Sequence, residues 1–243
     1  MSAEKTLEIL DVFTPEKREL SVQEISQLLN QPQSSVYRHL RVLKEKGLVM
    51  ETNGGFYKLG YRLLEMANIV RMDNGLLTVA HPVMRRLTRE TGETSILIVA
   101  SGLNAVCLET VTSHHPIKVS SERGKIIPLY GGASSKALLA YMQEEIVDEL
   151  FKQQLVKSHT VNTIVDPEKL KADLQQVRDK GYSVSDQEID EGVFAYGVPI
   201  RDINRQVIAS LSIAGPRDRM LEKDEKALID NLQSGANEIQ RYL

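Results

Sequence analysis

Residues 31–47 of the chain read QPQSSVYRHLRVLKEKG and have the apolar spacing of an amphipathic helix. Val36, Leu40 and Leu43 recur at i, i+4 and i+7, so they share one side of the helix and would pack against the protein. The other side carries arginine and lysine, as many solvated surface helices do. That side equally fits a helix that enters a groove of DNA, so the flanking segments have to separate the two interpretations.

The segments on both sides of this basic helix favour DNA binding. Ser21 is a predicted N-cap with Glu24 at the capping-box position, so a second helix precedes the basic one. Pro32 suits the first helical turn, and Gly47 suits the position after the last turn. Two strand candidates then flank the Asn-Gly-Gly turn at residues 53–55, a strong hairpin signal. Helix, short turn, helix and hairpin together predict a winged helix-turn-helix domain.

The predicted DNA-binding surface combines the polar side of the basic helix with the hairpin, or wing. Arginine holds phosphates or reads guanine edges, lysine holds phosphates, and serine at a helix start suits a neighbouring phosphate. The sequence does not separate residues that read bases from residues that contact the DNA backbone. The predicted DNA-binding residues are Gln33, Ser34, Ser35, Tyr37, Arg38, Arg41, Lys44, Asn53 and Lys58.

The composition fits a globular protein of about two domains. The chain has 243 residues, of which 42% are hydrophobic and 26% charged, and its net charge of −3 argues against a protein that coats nucleic acid indiscriminately. Cys107 is the only cysteine, which excludes an intramolecular disulfide and fits a reducing compartment. The sequence starts without a signal-peptide layout and lacks any apolar run near the ~20 residues of a membrane helix. We therefore expect a cytoplasmic protein without a membrane partner.

The pattern beyond the wing indicates a mixed α and β organisation. Residues 59–71 have the spacing of a further helix, which ends at the Asp-Asn-Gly sequence of residues 73–75, where we place the domain boundary. Later helices are predicted at residues 76–90, 135–142, 144–152, 167–180 and 221–242. Strands are predicted at residues 94–102, 105–111, 117–119, 126–129, 195–201 and 206–214.

A loop of small residues in the second half is a candidate ligand site. Residues 130–136 read YGGASSK and lead directly into a predicted helix. Backbone N–H groups at such a junction suit a carboxylate or a phosphate. The glycines equally suit a simple strand-to-helix turn, and both interpretations stay open at this point. The loop lacks the glycine spacing of a P-loop.

The sequence offers little support for an enzyme. Cys107 lies in an apolar strand pattern, which favours a buried structural thiol over a nucleophile. His114 and His115 are adjacent and would point to opposite faces of a strand, so no metal site is predicted. The acidic residues of SVSDQEIDEG, residues 183–192, are expected in a solvated loop rather than in acid–base catalysis. No catalytic residue or cofactor is predicted, and a winged-helix module fused to a small-molecule-processing enzyme is the alternative interpretation.

Five stretches of the chain resemble the IclR family of bacterial transcription regulators. Two lie in the first half, LSVQEISQLLNQPQSSVYRHLRVLKEKGLV at residues 20–49 and GFYKLGYRLLEMANIV at residues 55–70. Three more follow in the order expected for the family: IIPLYGGASSKALLA, GYSVSDQEIDEGVFAYGVPI and VIASLSIAGP. The resemblance covers essentially the whole chain.

This resemblance implies an α+β protein in three parts. Residues 1–58 would form the winged helix-turn-helix domain, residues 59–74 a linker helix, and residues 75–243 an effector-binding domain. The last would be GAF-like, with a curved antiparallel sheet. The family also implies a homodimer or homotetramer that binds palindromic double-stranded DNA operators. The expected function is a sequence-specific transcription regulator, a repressor among other types, modulated by a small-molecule effector such as an organic acid or a sugar acid.

The resemblance also implies where the effector binds. The expected effector-binding residues are Val119, Ile127, Gly132, Ala133, Ser134, Ser185, Ala195, Ser212 and Ala214. The sequence departs from the family pattern at these positions. In members that bind small organic acids, the position of Ala195 is often a cysteine and that of Ser185 often an aspartate. Ser135 stands where the family usually has a glycine before the lysine. We therefore expect a pocket at this place with a ligand that differs from the keto acids of some relatives.

Overall fold

The structure, a computed structural model, describes residues 2–72 and 75–243. The chain divides into two compact units, Met1–Asn74 and Gly75–Leu243. Within the described residues, none of the helices is both long enough and apolar enough to cross a membrane.

The N-terminal unit consists of helices around a small antiparallel sheet with the strand order β1-β3-β2. Its elements are α1 (Ser2–Asp11), β1 (Leu20–Ser21), α2 (Val22–Leu29), α3 (Gln33–Glu45), β2 (Val49–Glu51), β3 (Phe56–Leu59) and α4 (Arg62–Met72). The short strand β1 was not predicted from the sequence. The predicted linker helix starts at Arg62 rather than at Leu59, because Leu59 pairs with Val49 in the β2–β3 hairpin.

Local sequence signals position α3 behind α2. The Ser21 hydroxyl accepts a hydrogen bond from the Glu24 backbone N–H at 3.3 Å, and the Glu24 carboxylate accepts one from the Ser21 backbone N–H at 2.8 Å. This is the predicted capping box, and it is confirmed. Asn30 ends α2 in the left-handed conformation, with φ of 49°, so only three residues separate α2 from α3. The chain thereby forms the tight turn that a helix-turn-helix requires.

One apolar core holds the helices and the hairpin of the N-terminal unit together. It contains Val36, Leu40 and Leu43 from α3 and Ile25 from α2. All four side chains are fully or almost fully buried. The predicted buried side of the basic helix is therefore confirmed.

The C-terminal unit contains a six-stranded sheet that is antiparallel throughout and curled into a half barrel, with the order β6-β5-β4-β9-β8-β7. Its strands are β4 (Thr94–Ser101), β5 (Asn104–Val111), β6 (Ile126–Pro128), β7 (Ser183–Asp186), β8 (Val193–Arg201) and β9 (Val207–Pro216). Its helices are α5 (Gly75–Thr91), α6 (Ala133–Leu139), α7 (Glu145–Lys152), α8 (Pro167–Lys180), α9 (Arg217–Leu221) and α10 (Glu225–Gln240).

Helices cover the sheet on both faces because its strands alternate their apolar side chains. In β4, Leu97 faces a core shared with α5 and α10, whereas Ile96 and Ile98 face a core shared with α6, α7 and α8. All three of these side chains are buried. The predicted fold class, α+β with a winged helix-turn-helix domain and a second domain built on a curved antiparallel sheet, is confirmed.

Three local predictions for the C-terminal unit are wrong. Residues 117–119 form no strand, and the Val119 carbonyl instead accepts a hydrogen bond from the Thr94 hydroxyl at 2.7 Å. Residues 183–186, expected in a solvated loop, form strand β7 along one edge of the sheet. The last long helix begins at Glu225 rather than at residue 221, because Asp224 caps it by accepting a hydrogen bond from the Ala227 N–H.

Candidate DNA-binding surface and ligand cavity

Helix α3 has a buried side that is wider than the sequence predicted. His39 is 4% exposed, and its Nδ1 lies 2.8 Å from the Thr6 hydroxyl of α1. Burial, assisted by the nearby charges of Arg38 and Lys5, lowers the pKa of His39 below its ordinary value. The imidazole is therefore neutral near pH 7 and belongs to the packing of α3 rather than to its polar side.

The opposite side of α3 is open to solvent. Tyr37 is 55% exposed, Arg38 is exposed, and the Arg41 side chain is 78% exposed with only a loose contact of 3.6 Å to Glu45. No ion pair of Arg38 is found among the residues that the structure describes. Two guanidinium groups on one exposed helix side are thus available to phosphates or to base edges.

Lys44 differs from the two arginines because it already has a partner. Its Nζ lies 2.5 Å from a carboxylate oxygen of Glu51 in β2, and that hydrogen bond raises the pKa of Lys44. The pair joins α3 to the first strand of the wing. Half of the lysine side chain stays exposed, so Lys44 faces solvent while its charge is partly neutralised.

The remaining predicted DNA-binding residues lie at the start of α3 and in the wing. Gln33 and Ser34 are exposed in the first turn of α3, and Ser35 is half-buried. Asn53 is exposed at the tip of the hairpin. Lys58 is half-buried in β3, and its Nζ lies 3.9 Å from Glu19. The structure therefore brings all nine predicted residues to the surface of the same unit, with Lys44 and Lys58 beside carboxylates.

The C-terminal unit contains a cavity of about 130 Å³ between its sheet and the loops that cross it. Hydrophobic side chains form much of its wall, and serines from three segments interrupt them. The lining residues are Ile96, Val119, Ser120, Ser121, Lys125, Ile126, Ile127, Pro128, Gly131, Gly132, Ser134, Ser135, Ser185, Glu188, Ile189, Asp190, Val193, Ala195 and Ala214. An apolar wall with a few polar groups is typical of a site for a small molecule.

Small side chains in register across three strands line the cavity on the sheet side. Ser185 of β7 pairs with Ala195 of β8, and Ala195 pairs with Ala214 of β9. Side chains that are neighbours across adjacent strands point to the same face of the sheet. This row of short side chains leaves room above the sheet, where larger residues would fill the cavity.

The glycines of the loop at residues 130–136 permit a close approach that other residues would prevent. Gly132 has a φ of +84°, a conformation that favours glycine. A Cβ atom on Gly131 would lie only 2.7 Å from the Cδ1 atom of Ile189. The loop therefore packs directly beneath Ile189, and both segments line the cavity.

A buried group of charges lies beside this loop. The Lys136 Nζ lies 2.5 Å from a carboxylate oxygen of Glu188 and 2.9 Å from one of Asp173, and the lysine side chain is only 1% exposed. The other carboxylate oxygen of Glu188 accepts the Gly132 N–H at 3.0 Å. Burial raises the pKa of Glu188, although the Lys136 ammonium opposes that shift. The group thereby fixes the glycine loop to the segment after β7.

Most hydroxyl groups around the loop are paired with each other or with backbone carbonyls. The Ser134 and Ser212 hydroxyls lie 2.5 Å apart. The Ser183 hydroxyl donates to the Ala133 carbonyl at 2.6 Å, and the Ser210 hydroxyl donates to the Ser134 carbonyl at 2.7 Å. These bonds hold the start of α6 against the sheet.

The structure places seven of the nine predicted effector-binding residues on the cavity wall. They are Val119, Ile127, Gly132, Ser134, Ser185, Ala195 and Ala214. Ala133 and Ser212 do not line the cavity: Ala133 is part of the core below the loop, and Ser212 supports Ser134. Sequence reasoning missed Ser135 and Glu188 as lining residues, since it treated the first only as a departure from a family pattern and the second as solvated.

The residues considered for other chemistry are structural. Cys107 is 1% exposed, and burial raises the pKa of its thiol, so the neutral thiol predominates. No group of three or more histidine, cysteine, aspartate or glutamate side chains in the described part of the chain is arranged to hold a metal ion.

A winged helix-turn-helix with an exposed basic helix, followed by a separate sheet domain with a small-molecule cavity, defines the class of DNA-binding transcription regulators. Family models support this assignment in both units. The IclR helix-turn-helix domain matches residues 2–52, and the C-terminal domain of the bacterial transcriptional regulator IclR matches residues 68–241. The chain belongs to the IclR family.

Individual relatives agree with the family assignment. The chain is 32% identical to the HTH-type transcriptional regulator KipR of Bacillus subtilis over 239 residues, covering 98% of this chain and 95% of that protein. The crystal structure of the Thermotoga maritima IclR is similar with a TM-score of 0.70 and 33% identity, covering 99% and 97% of the two chains. An IclR homologue from Microbacterium hydrocarbonoxydans, complexed with 4-hydroxybenzoate, has the same fold with a TM-score of 0.83, 23% identity and coverages of 100% and 99%. Because its relatives are transcriptional regulators, this chain is a regulator and not an enzyme.

Proposed function

We propose that this regulator binds a specific DNA operator through α3 and the wing, and that a small organic acid or sugar acid in the cavity changes its operator affinity. The observation that carries the proposal is the presence of an exposed basic helix side in one unit and a mainly apolar cavity with a few polar groups in the other. The 4-hydroxybenzoate complex of the Microbacterium homologue supports an organic acid as the ligand. A ligand changes operator affinity only if it binds the two arrangements of the protein with different affinity.

The proposed DNA interface is the set of nine residues predicted from the sequence. Arg38 and Arg41 contribute most, because both are exposed, Arg38 has no ion pair among the described residues, and Arg41 has only the 3.6 Å contact to Glu45 on the helix surface. Ser34 and Ser35, near the first turn of α3, would lie beside a phosphate, where free backbone N–H groups also point. Lys44, Asn53 and Lys58 would contact the DNA backbone.

The proposed regulator acts as a homodimer or homotetramer on a palindromic operator in the cytoplasm. Its linker helix α4 exposes a row of apolar side chains, among them Leu64 at 66%, Ile69 at 62% and Val70 at 61%. Leu7 of α1 in the same unit is 59% exposed. Exposed apolar surface of this kind marks a protein contact, and a two-fold dimer would place two α3 helices on the two half-sites of a palindrome.

Selection from random DNA duplexes tests the DNA-binding part of the proposal. The full-length protein should enrich a palindromic sequence, and anisotropy titrations should give an affinity at least about 10³-fold above that for an unselected duplex at the same salt concentration. Light scattering on the size-exclusion peak should give a dimer or a tetramer at micromolar concentration. Enrichment of no sequence, or a monomer that binds the selected duplex with full affinity, would contradict the proposal.

A thermal-shift screen tests the ligand part of the proposal. The panel contains 4-hydroxybenzoate, benzoate, lactate, propionate, pyruvate and gluconate. A ligand that binds only the folded state raises the melting temperature, and the rise increases with the ratio of ligand concentration to Kd. At least one of these acids should raise it. Replacement of Ala214 by leucine should abolish that rise, because the added side chain fills the cavity.

A further inference from the structure

We propose that Ser135 is a specificity-determining residue of the cavity, whose hydroxyl donates a hydrogen bond to a neutral oxygen, a hydroxyl or a carbonyl, of the bound ligand. The ligand class would then be a hydroxy acid or an oxo acid rather than an unsubstituted acid. This inference rests on the proposed ligand-binding function of the cavity and adds to it the group that the ligand must carry.

The first observation concerns the burial and hydrogen bonding of the Ser135 hydroxyl. Ser135 is 1% exposed and lines the cavity, and its Oγ has no hydrogen-bond partner among the described residues. A buried hydroxyl without a partner is unfavourable, so such groups in folded proteins call for an explanation. A ligand oxygen in the adjoining cavity would supply the missing partner.

The hydroxyl of the preceding residue does not share this property. Ser134, which precedes Ser135 in the loop, is paired with Ser212. The Ser121 hydroxyl lies beside the Cys107 thiol. Ser185, like Ser135, is buried on the cavity wall, and its hydroxyl has no hydrogen bond in the described part of the chain. The cavity therefore presents two uncommitted buried hydroxyls, one from α6 and one from β7.

The charges around Ser135 favour a neutral partner. Lys136, the next residue, is bound to Glu188 and Asp173, and the Gly132 N–H is bound to Glu188. Among the described residues, no uncommitted cation therefore lies beside Ser135, and a carboxylate of the ligand placed there would meet the carboxylate of Glu188. A hydroxyl or carbonyl oxygen accepts the Ser135 hydrogen bond without that repulsion.

The carboxylate of the ligand has a different place to bind. Lys125 is exposed and is the cation among the lining residues, and no ion pair of its side chain is found in the described part of the chain. The apolar wall of the cavity includes Val119 and Ile127. An acid with its carboxylate toward Lys125 and its neutral oxygen toward Ser135 would contact both polar groups and this apolar wall.

Matched pairs of ligands test the role of Ser135 directly. Isothermal titration measures the affinity of the full-length protein for 4-hydroxybenzoate and benzoate, and for lactate and propionate. The wild-type protein should prefer the member with the additional hydroxyl in at least one pair by about fivefold, the typical net contribution of one hydrogen bond. In Ser135→Ala that preference should fall to about twofold or less. The affinity of this variant for the member without the additional hydroxyl should stay within about twofold of the wild-type affinity.

Two further variants keep the test independent of folding. Ser95→Ala removes a buried hydroxyl that bonds the Thr88 hydroxyl at 2.9 Å and the Met84 carbonyl at 3.1 Å, and Ser95 does not line the cavity. This control should lower the melting temperature and leave the ligand preference unchanged. Ser135→Gly removes the hydroxyl by a different change and should lose the preference as Ser135→Ala does.

Three results would overturn the inference about Ser135. The first is equal affinity of the wild-type protein for both members of each pair. The second is a preference that persists in Ser135→Ala and Ser135→Gly. The third is a wild-type protein that binds none of the four acids while it still binds its selected operator, which would exclude this ligand class and leave the proposed regulator intact. Failure of the wild-type protein to select any operator would instead contradict the proposed function.

Discussion

The two units of this regulator use their polar side chains in opposite ways. On α3 the two arginines that face solvent, Arg38 and Arg41, are almost free of protein partners. Beside the cavity the buried charges of Lys136 and Glu188 are committed to each other. A surface for a highly charged polymer is built from available charges, whereas the buried charges beside this cavity neutralise each other. The following experiments probe this difference.

The largest effect is a loss of folding stability, expected where a buried charge loses its partner. Lys136→Ala would leave Glu188 buried beside Asp173 without a counter-charge, and loss of one member of a buried ion pair costs about 3–5 kcal/mol of stability. Urea unfolding followed by circular dichroism measures this loss.

An exposed pair provides the control for Lys136→Ala. Lys171 lies 2.8 Å from Asp148 on the surface of the same unit, where water screens both charges. Lys171→Ala should change the unfolding midpoint little. If Lys136→Ala is no more destabilising than Lys171→Ala, the buried charges do not hold the glycine loop in place.

A smaller effect, about 1–3 kcal/mol in operator affinity, is expected for loss of a single arginine on α3. Arg38→Ala and Arg41→Ala should each weaken binding of the selected operator, and loss of a phosphate contact should reduce the salt slope by about one. Anisotropy titrations at several salt concentrations measure both quantities.

Arg18 provides the matched control for these two variants. It is an exposed arginine of the same unit that lies outside α3 and the wing, where it donates to the Pro15 carbonyl. Arg18→Ala should leave operator affinity within about twofold of wild type. Unchanged affinity in both α3 variants, or an equal loss in Arg18→Ala, would show that another surface contacts DNA.

The smallest effect is a pH dependence of the stability of the N-terminal unit, which arises from His39. Its folded-state pKa lies below its ordinary value of ~6.5 because the side chain is buried. As the pH falls through ~6.5, the unfolded chain therefore takes up the proton first, and the N-terminal unit loses stability. Above that pH both states are neutral and the residue has no effect.

Hydrogen exchange of the α3 backbone amides measures this loss of stability for the N-terminal unit separately from the rest of the protein. Protection in the wild-type protein should decrease between pH 7.5 and pH 5.5, after correction for the intrinsic exchange rate. In His39→Gln, which keeps a side chain able to hydrogen-bond Thr6 but does not titrate, the decrease should be smaller. An equal decrease in both proteins would assign the effect to other groups.

The DNA-binding unit could be predicted from the sequence because its signals are local. The capping box joins Ser21 and Glu24, the wing turn is an Asn-Gly-Gly sequence, and Val36, Leu40 and Leu43 share one helix side. Each of these signals involves residues only a few positions apart, so it can be recognised in the sequence without the tertiary structure. His39 was missed because its partner, Thr6, lies 33 residues away.

The glycine loop was a candidate ligand site from its sequence alone, but the other walls of the cavity could be predicted only through family resemblance, and the polar groups of the cavity were misjudged. Glu188 was expected to be solvated because it lies in an acidic stretch of the sequence. Its partner Lys136 lies 52 residues earlier in the chain, and the two side chains are buried together. Strand β7 contains two serines and an aspartate and pairs with β8, so only the tertiary structure makes it a strand. Whether the Ser135 hydroxyl has a hydrogen-bond partner depends on atoms from several segments of the chain. No short sequence pattern can predict that arrangement.

The most direct test of the regulator proposed here is an anisotropy titration of its selected operator with and without a saturating acid from the thermal-shift screen. The wild-type protein should change its operator affinity at least about fivefold, the lower end of typical coupling between two sites. Ala214→Leu, with its cavity filled, should bind the operator as tightly as the ligand-free wild type and show no response to the acid. Equal operator affinity of the wild-type protein with and without the bound acid would contradict the account.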